Sequence, residues 1–412
     1  MKILDIAQEK LGSRARLSAQ VIWEDSARPS QEIYFEVEEP FCNALASSPE
    51  AFVAAALTPA LWAGEKRIFV DAEVCPEFLD NLKVVTKVFQ HWFPQLVKNG
   101  EIETRKRVQV NAGELSRRAA FFFTGGVDSL AALRVNRLNF PRDHPGSIKD
   151  GIIVFGLEVE DRRAFDYVVA ALSAIASDAA VALIPVFTNV RLLNDDWVFW
   201  WTAHMGPALC AVAHALSPRI RSAIIASDYD VPNLRPHGSH PLIEPNFSSF
   251  DLKIRYDGLA LSRLEKIRLL ADWDVALNNI RVCNKPEFYQ SGMLNCGECE
   301  KCVRTMLGLL AVGALEKTRA FAHQDLPLDL VESKICVYEA VLPFYEEMVG
   351  ALRDKGRADL ADVIRKAIVR ARAKEGLMER LRKFDRKHLG GGLGAVKRAT
   401  FPSVPAIENR KK

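Results

Sequence analysis

The chain has 412 residues, 49% hydrophobic and 26% charged, with a net charge of +3. That length predicts two or three structural units, and the composition excludes a largely disordered chain or a many-span membrane protein. The charge is uneven: residues 365–412 hold 15 Lys and Arg against 4 Asp and Glu, so this tail stands at +11 and the rest at −8, which argues against a nucleic-acid partner for the body.

Along the chain, Leu17, Ala19, Val21 and Trp23, then Ile33, Phe35 and Val37, alternate with the period of half-buried strands, and a third strand is expected near residues 67–74. With helices over 49–63 and 76–97, residues 1–112 read as a small antiparallel α+β module. The most apolar window, 51–63, contains Thr58 and Pro59 and is too short to cross a bilayer. The opening residues mix acids and bases where a secretory signal needs an apolar core, so a cytoplasmic location is expected.

From residue 118 the pattern changes. Apolar runs at 119–123, 151–157, 181–187 and 222–226 alternate with helical segments at 128–138, 162–177 and 200–216. Continuous apolar strands between helices belong to a parallel sheet covered on both faces. Residues 113–310 are therefore expected to form a doubly wound α/β domain. Helical segments near 303–316, 333–355, 358–374 and 377–388 continue into a helical C-terminal region, 311–390, followed by a basic flexible tail, 391–412.

The sharpest motif is the apolar strand that runs through Thr124-Gly125-Gly126-Val127-Asp128-Ser129 directly into a helix. Two glycines let the backbone approach an anion, and the helix start supplies free N–H groups and the positive end of its dipole. Thr124 and Ser129 add hydroxyls, and Asp128 suits a magnesium ion bridging to phosphate. Neither the Walker A spacing nor G-x-G-x-x-G is present.

Eight cysteines stand at 42, 75, 210, 283, 296, 299, 302 and 336. Cys283, Cys296, Cys299 and Cys302 follow C-x12-C-x2-C-x2-C, four thiolates of the kind a closed tetrahedral zinc site takes, with an iron–sulfur cluster as the alternative. The other four sit in no recognisable motif, which disfavours sulfur transfer.

The Thr124–Ser129 segment resembles the Ser-Gly-Gly-x-Asp-Ser signature of the PP-loop ATP pyrophosphatase superfamily, with Thr124 in place of the first serine. Together with Cys-Gly-x-Cys-x-x-Cys it resembles the branch that contains 7-cyano-7-deazaguanine synthase, over residues 115–310. An epimerase that adenylates the glutamate of a muramoyl dipeptide is similar in layout, although its loop has Lys where Val127 stands. The resemblance implies that ATP is held by Thr124, Gly125, Gly126, Val127, Asp128 and Ser129, with adenine against the backbone of Phe155, Gly156 and Leu157. It also implies that AMP is transferred to a carboxylate or amide oxygen of a small-molecule or precursor substrate and that pyrophosphate leaves. Amide- or nitrile-type ligation or a related conversion would follow, with Asp128 and Ser129 catalytic and ATP, Mg2+ and Zn2+ as cofactors. The alternative is a nucleotide-binding regulatory or assembly protein without chemistry.

Selectivity is expected in the polar loop from Ser227, with Asp228, Arg235, His237, Ser239, His240 and Glu244 as candidates. Trp200, Trp201 and His204 could line the same cleft, and Arg263 and Lys266 are candidate charge partners for a phosphoryl transition state.

Overall fold

The computed structural model describes residues 1–94, 97, 100–106, 118–283, 285 and 293–388. The expected tail over 391–412 lies outside them. Two compact units are present: Met1–Cys296 with Lys317–Ala322, and Gly297–Glu316 with the residues from His323 onward.

The first unit opens with β1 (Lys2–Leu11), β2 (Arg14–Ile22), β3 (Gln31–Glu38), α1 (Pro49–Ala63), β4 (Arg67–Val74), α2 (Pro76–Trp92) and β5 (Glu101–Lys106). It continues through β6 (Arg118–Phe122), α3 (Val127–Asn139), β7 (Ile148–Phe155), α4 (Arg162–Asp178) and β8 (Ala182–Thr188). After β8 come α5 (Trp197–Phe199), a π turn (Trp200–His204) and α6 (Met205–Ala215). Then follow β9 (Ile220–Ala226), β10 (Lys253–Asp257), α7 (Arg263–Leu270) and α8 (Asp274–Asn279).

All ten strands share one sheet, ordered β10-β9-β6-β7-β8-β3-β2-β1-β4-β5. The five strands from β10 to β8 run parallel, and the apolar runs of β6, β7 and β8 suit strands inside such a sheet, while β10 at its edge is mixed in character. Ala120 and Phe122 of β6 share a core with α1 and α6, while the alternate residues Ala119 and Phe121 are buried outside that core. Both faces of β6 are thus covered, an α/β arrangement compatible with a doubly wound fold.

The N-terminal strands differ from the antiparallel expectation in one respect. β1, β2 and β3 pair antiparallel, but β4 runs parallel to β1 and to β5. A chain that returns through α1 and α2 enters each new strand in the same direction. Antiparallel pairing of β3 with β8 joins this part to the rest, and Thr188 and Asn189 reinforce it: Thr188 Oγ1 donates to the Tyr34 carbonyl at 2.6 Å and Asn189 Oδ1 accepts from Tyr34 N at 2.9 Å.

The second unit contains α9 (Glu300–Val312), α10 (Leu328–Lys334), α11 (Leu342–Asp354) and α12 (Ala358–His388). The two segments expected at 358–374 and 377–388 are one helix. Leu307, Tyr345, Met348, Leu352, Leu360 and Ile364 are buried in this unit, and the Tyr345 hydroxyl donates to Glu300 at 2.9 Å.

At the N-terminal ends of the central parallel strands, the fully buried Asp150 accepts from Arg118 Nε and from Arg219 Nη2, each at 2.8 Å. This links β6, β7 and the entry to β9. Asp150→Asn removes the charge that both guanidiniums face, and it is expected to cost about 1–3 kcal/mol, reduced from a fully buried pair because both arginines are partly solvated. Urea denaturation checks this: the midpoint should fall, and an unchanged midpoint would show that the pairing contributes nothing.

Candidate functional site

The segment Thr124–Ser129 lies between the end of β6 and the start of α3. β6 has β7 on one side and β9 on the other, so the loop opens at the C-terminal edge of the sheet, where α/β folds bind ligands. Gly125 has φ +77°, and a Cβ there would stand 2.7 Å from a Leu172 methyl. Only glycine turns the chain here. Gly126 caps α3 with an extended backbone. The hydroxyls organise the turn from within: Thr124 Oγ1 donates to Ser129 Oγ at 3.1 Å and accepts from Gly126 N at 3.3 Å, and Ser129 Oγ donates to the Gly126 carbonyl at 3.1 Å.

Asp128, in the first turn of α3, meets two cations. Arg263 Nη1 donates to one carboxylate oxygen, and Lys266 Nζ donates to the other at 3.2 Å. Both come from the start of α7, which a capping box fixes: Ser262 Oγ accepts from Glu265 N and Glu265 accepts from Ser262 N. Lys266 is 1% exposed and also donates to the Ser227 carbonyl at 2.5 Å, which ties α7 to the end of β9. Burial disfavours charge on Asp128, but the Arg263 and Lys266 cations outweigh it and hold the carboxyl below its ordinary range. Asp128, Arg263 and Lys266 are therefore one charge cluster.

Phe155 ends β7, the strand next to β6, and Gly156 and Leu157 follow it. Gly156 has φ +93°, and a Cβ there would lie 1.8 Å from the Thr188 carbonyl oxygen, so the backbone passes directly over the end of β8. Arg191, which is buried, donates to the Leu157 carbonyl at 2.6 Å and stacks on Trp197 with its guanidinium carbon 3.7 Å from the ring centre.

The loop after β9 gathers the other candidates. Asp228 is half-buried; burial raises its carboxyl, His237 opposes that, and Asp128 adds to it. His237 lies 5.9 Å from Trp201 and 6.3 Å from Tyr229 between ring centres, and its Nδ1 is buried with no hydrogen-bond partner among the described residues. Ser239 Oγ reaches Tyr256 Oη at 3.5 Å, and His240 packs edge-on against Trp92. Arg235 is half-buried on the same loop. His204 and Trp200 belong to the core instead: both are at most 1% exposed, and His204 Nδ1 meets Thr58 Oγ1 at 2.8 Å. Burial drives the His204 imidazole down to about 3, so it is neutral at ordinary pH.

Cys283, Cys296, Cys299 and Cys302 come together, their Sγ atoms all within 4.8 Å of one another and those of Cys299 and Cys302 at 3.4 Å. Zn–S bonds of about 2.3 Å in tetrahedral geometry separate sulfurs by about 3.8 Å, so the set could hold a metal such as zinc. Cys299 caps α9 and Cys302 lies in its first turn, where the helix dipole favours thiolates. Motif spacing does not reveal Asn295. Its Oδ1 accepts from Val282 N and Cys283 N, and its Nδ2 donates to the Ile280 and Ala320 carbonyls.

Motif reading also misses Arg191, Tyr256 and Arg281, whose roles arise from contacts distant in the chain. Comparison of the chain with protein-family models, curated proteins and solved structures returns no match.

Glu244 has a testable property. It is fully buried; its Oε2 accepts from His240 N at 2.7 Å, and its Oε1 has no partner among the described residues. Burial pushes its carboxyl from the ordinary 4.5 up to about 8. Between those values the folded chain keeps a proton that the unfolded chain releases, so this group's stabilising contribution is full below 4.5 and is lost as pH rises through 8. Glu244→Gln is neutral throughout. Thermal melts from about pH 5 to about pH 8.5 should show wild type losing stability relative to the variant as pH rises; a constant difference between them would exclude an ionising Glu244.

Proposed function

We propose that this protein is an ATP-dependent adenylating enzyme of the PP-loop ATP pyrophosphatase type. The observation that carries the reading is the Thr124–Ser129 turn at the C-terminal edge of the sheet, with Arg263 and Lys266 converging on Asp128 beside it. A substrate carboxylate or amide oxygen attacks the α-phosphorus of ATP. The new oxygen–phosphorus bond forms as the bond to the bridging oxygen breaks, and pyrophosphate leaves with that electron pair.

The chain's own groups have defined parts in this step. Backbone N–H groups of Gly125, Gly126 and Val127 hold phosphate oxygens at the positive end of α3, and the hydroxyls of Thr124 and Ser129 turn from their partners within the loop to join them. Arg263 and Lys266 stabilise charge developing on the transferred and leaving groups. Phe155, Gly156 and Leu157 offer backbone to adenine, and Asp228, Arg235, His237, Ser239 and His240 orient the acceptor and move its protons. Asp128 would hold Mg2+, which when bound neutralises charge on the departing pyrophosphate. Capture of the adenylate in an amide- or nitrile-type ligation or a related conversion would complete the reaction.

The rival reading, a nucleotide-binding regulatory or assembly protein, draws on the same ion pairs, because a carboxylate already engaged by two cations has less capacity for a metal. Pyrophosphate release separates the two. With small acids, nucleobase carboxylates and cell-wall precursors offered as acceptors, wild type should release pyrophosphate from ATP, and Asp128→Ala and Ser129→Ala should each reduce the rate at least about a hundredfold. ATP that binds but stays intact with every acceptor would favour the rival.

For the cysteines we propose a single structural Zn2+. Four thiolates leave no open position for water or substrate, so the ion's part is to hold the 283–302 segment rather than to catalyse. Elemental analysis should find about one zinc per chain, and Cys299→Ser or chelation should lower the melting temperature by several degrees. Iron with visible absorbance would replace zinc by a cluster, and metal-free protein with unchanged melting would exclude the site.

A further inference from the structure

Arg281 lies directly against the phosphate loop, although about 155 residues separate the two in sequence. Its backbone N–H donates to the Gly125 carbonyl at 2.9 Å. Its Nη1 lies 3.5 Å from the Thr124 carbonyl oxygen. A Cβ on Gly125 would stand 3.4 Å from Arg281 Cβ, and one on Gly126 would stand 3.7 Å from the Arg281 carbonyl oxygen. The residue therefore follows the Gly-Gly turn closely, with its guanidinium at the rim of the cradle.

The segment that carries Arg281 is pinned at several points. Beyond the bond to Gly125, the Asn295 side chain bridges Ile280, Val282 and Cys283, the residues on either side of Arg281. Cys283 in turn belongs to the cysteine cluster. A guanidinium on a backbone held this way loses little freedom when it meets an anion, and its planar fork suits two phosphate oxygens better than an ammonium would.

We propose that Arg281 is a ligand-binding residue of this loop that contacts the terminal phosphates of a nucleoside triphosphate, so that the site selects a triphosphate over a monophosphate or a nucleoside. This rests on the reading of Thr124–Ser129 as a phosphate cradle. The loop's amides and the start of α3 are occupied by the phosphate nearest the turn. Arg281 brings a further cation to the turn through its contacts with Thr124 and Gly125, in addition to Arg263 and Lys266, which reach it through Asp128.

Isothermal titration of the full chain with its metal intact and Mg2+ present tests the proposal, with ATP, AMP and adenosine as probes. Arg281→Gln should weaken ATP at least about tenfold and leave AMP and adenosine within about twofold of wild type. Arg281→Met keeps the packing of the stem and covers a folding failure of the first variant, and the same pattern is expected. Either variant binding ATP like wild type, or losing ATP and AMP equally, would overturn the proposal, the second result making Arg281 a prop for the turn. If wild type binds none of the three probes, the phosphate-cradle reading itself fails, an outcome distinct from a mutant that matches a competent wild type.

Discussion

β6 admits no slack. One set of its alternate residues lies in the core shared with α1 and α6 and the other is buried outside it, its edges pair with β7 and β9, and its end must turn at Gly125, where a methyl group would strike Leu172. The candidate site inherits its accuracy from this strand. A turn fixed by packing on all sides keeps its amides aimed in one direction without a ligand to organise them, the condition under which electrostatic stabilisation costs no reorganisation.

The neighbouring strands extend that rigidity outward. The end of β7 lies against the Thr188 carbonyl at Gly156, Arg191 holds the Leu157 carbonyl, and the segment after β8 is bonded through Thr188 and Asn189 to β3. The N-terminal strands thus reach the site indirectly, by bracing the end of β7. On the other side, Lys266 ties the end of β9 to α7 while reaching Asp128. One buried ammonium thereby contributes both to the placement of a helix and, together with Arg263, to the charge of a loop carboxylate.

What could be read in advance follows the range of the interactions. Strands β6 to β9 and helices α3 and α4 are marked by local periodicity and lie within a few residues of their expected bounds. The cysteine cluster is legible from spacing alone. Pairing across the sheet is not: β1 and β10 carry mixed polar sequences, β4 gives no local sign of its parallel neighbours, and the junction of β3 with β8 depends on residues about 150 apart. Within the site, Asp128, Arg263 and Lys266 each stand out as charged residues, but their convergence is a product of the fold. Glu244 and Asn295 matter because of what surrounds them, and burial has no motif.

The order of strands also bears on how the chain is made. β1 to β5 can pair largely among themselves as soon as they leave the ribosome, but β6 stays a sheet edge on one side until β9 is synthesised about a hundred residues later. During that interval Ala119–Phe123, five apolar residues that include three phenylalanines, lack one of their two neighbours. Arg118, at the start of β6, puts a charge beside this apolar run, and in the folded chain it pairs with Asp150. The strand that gives the site its accuracy is therefore also one that is made with an open edge.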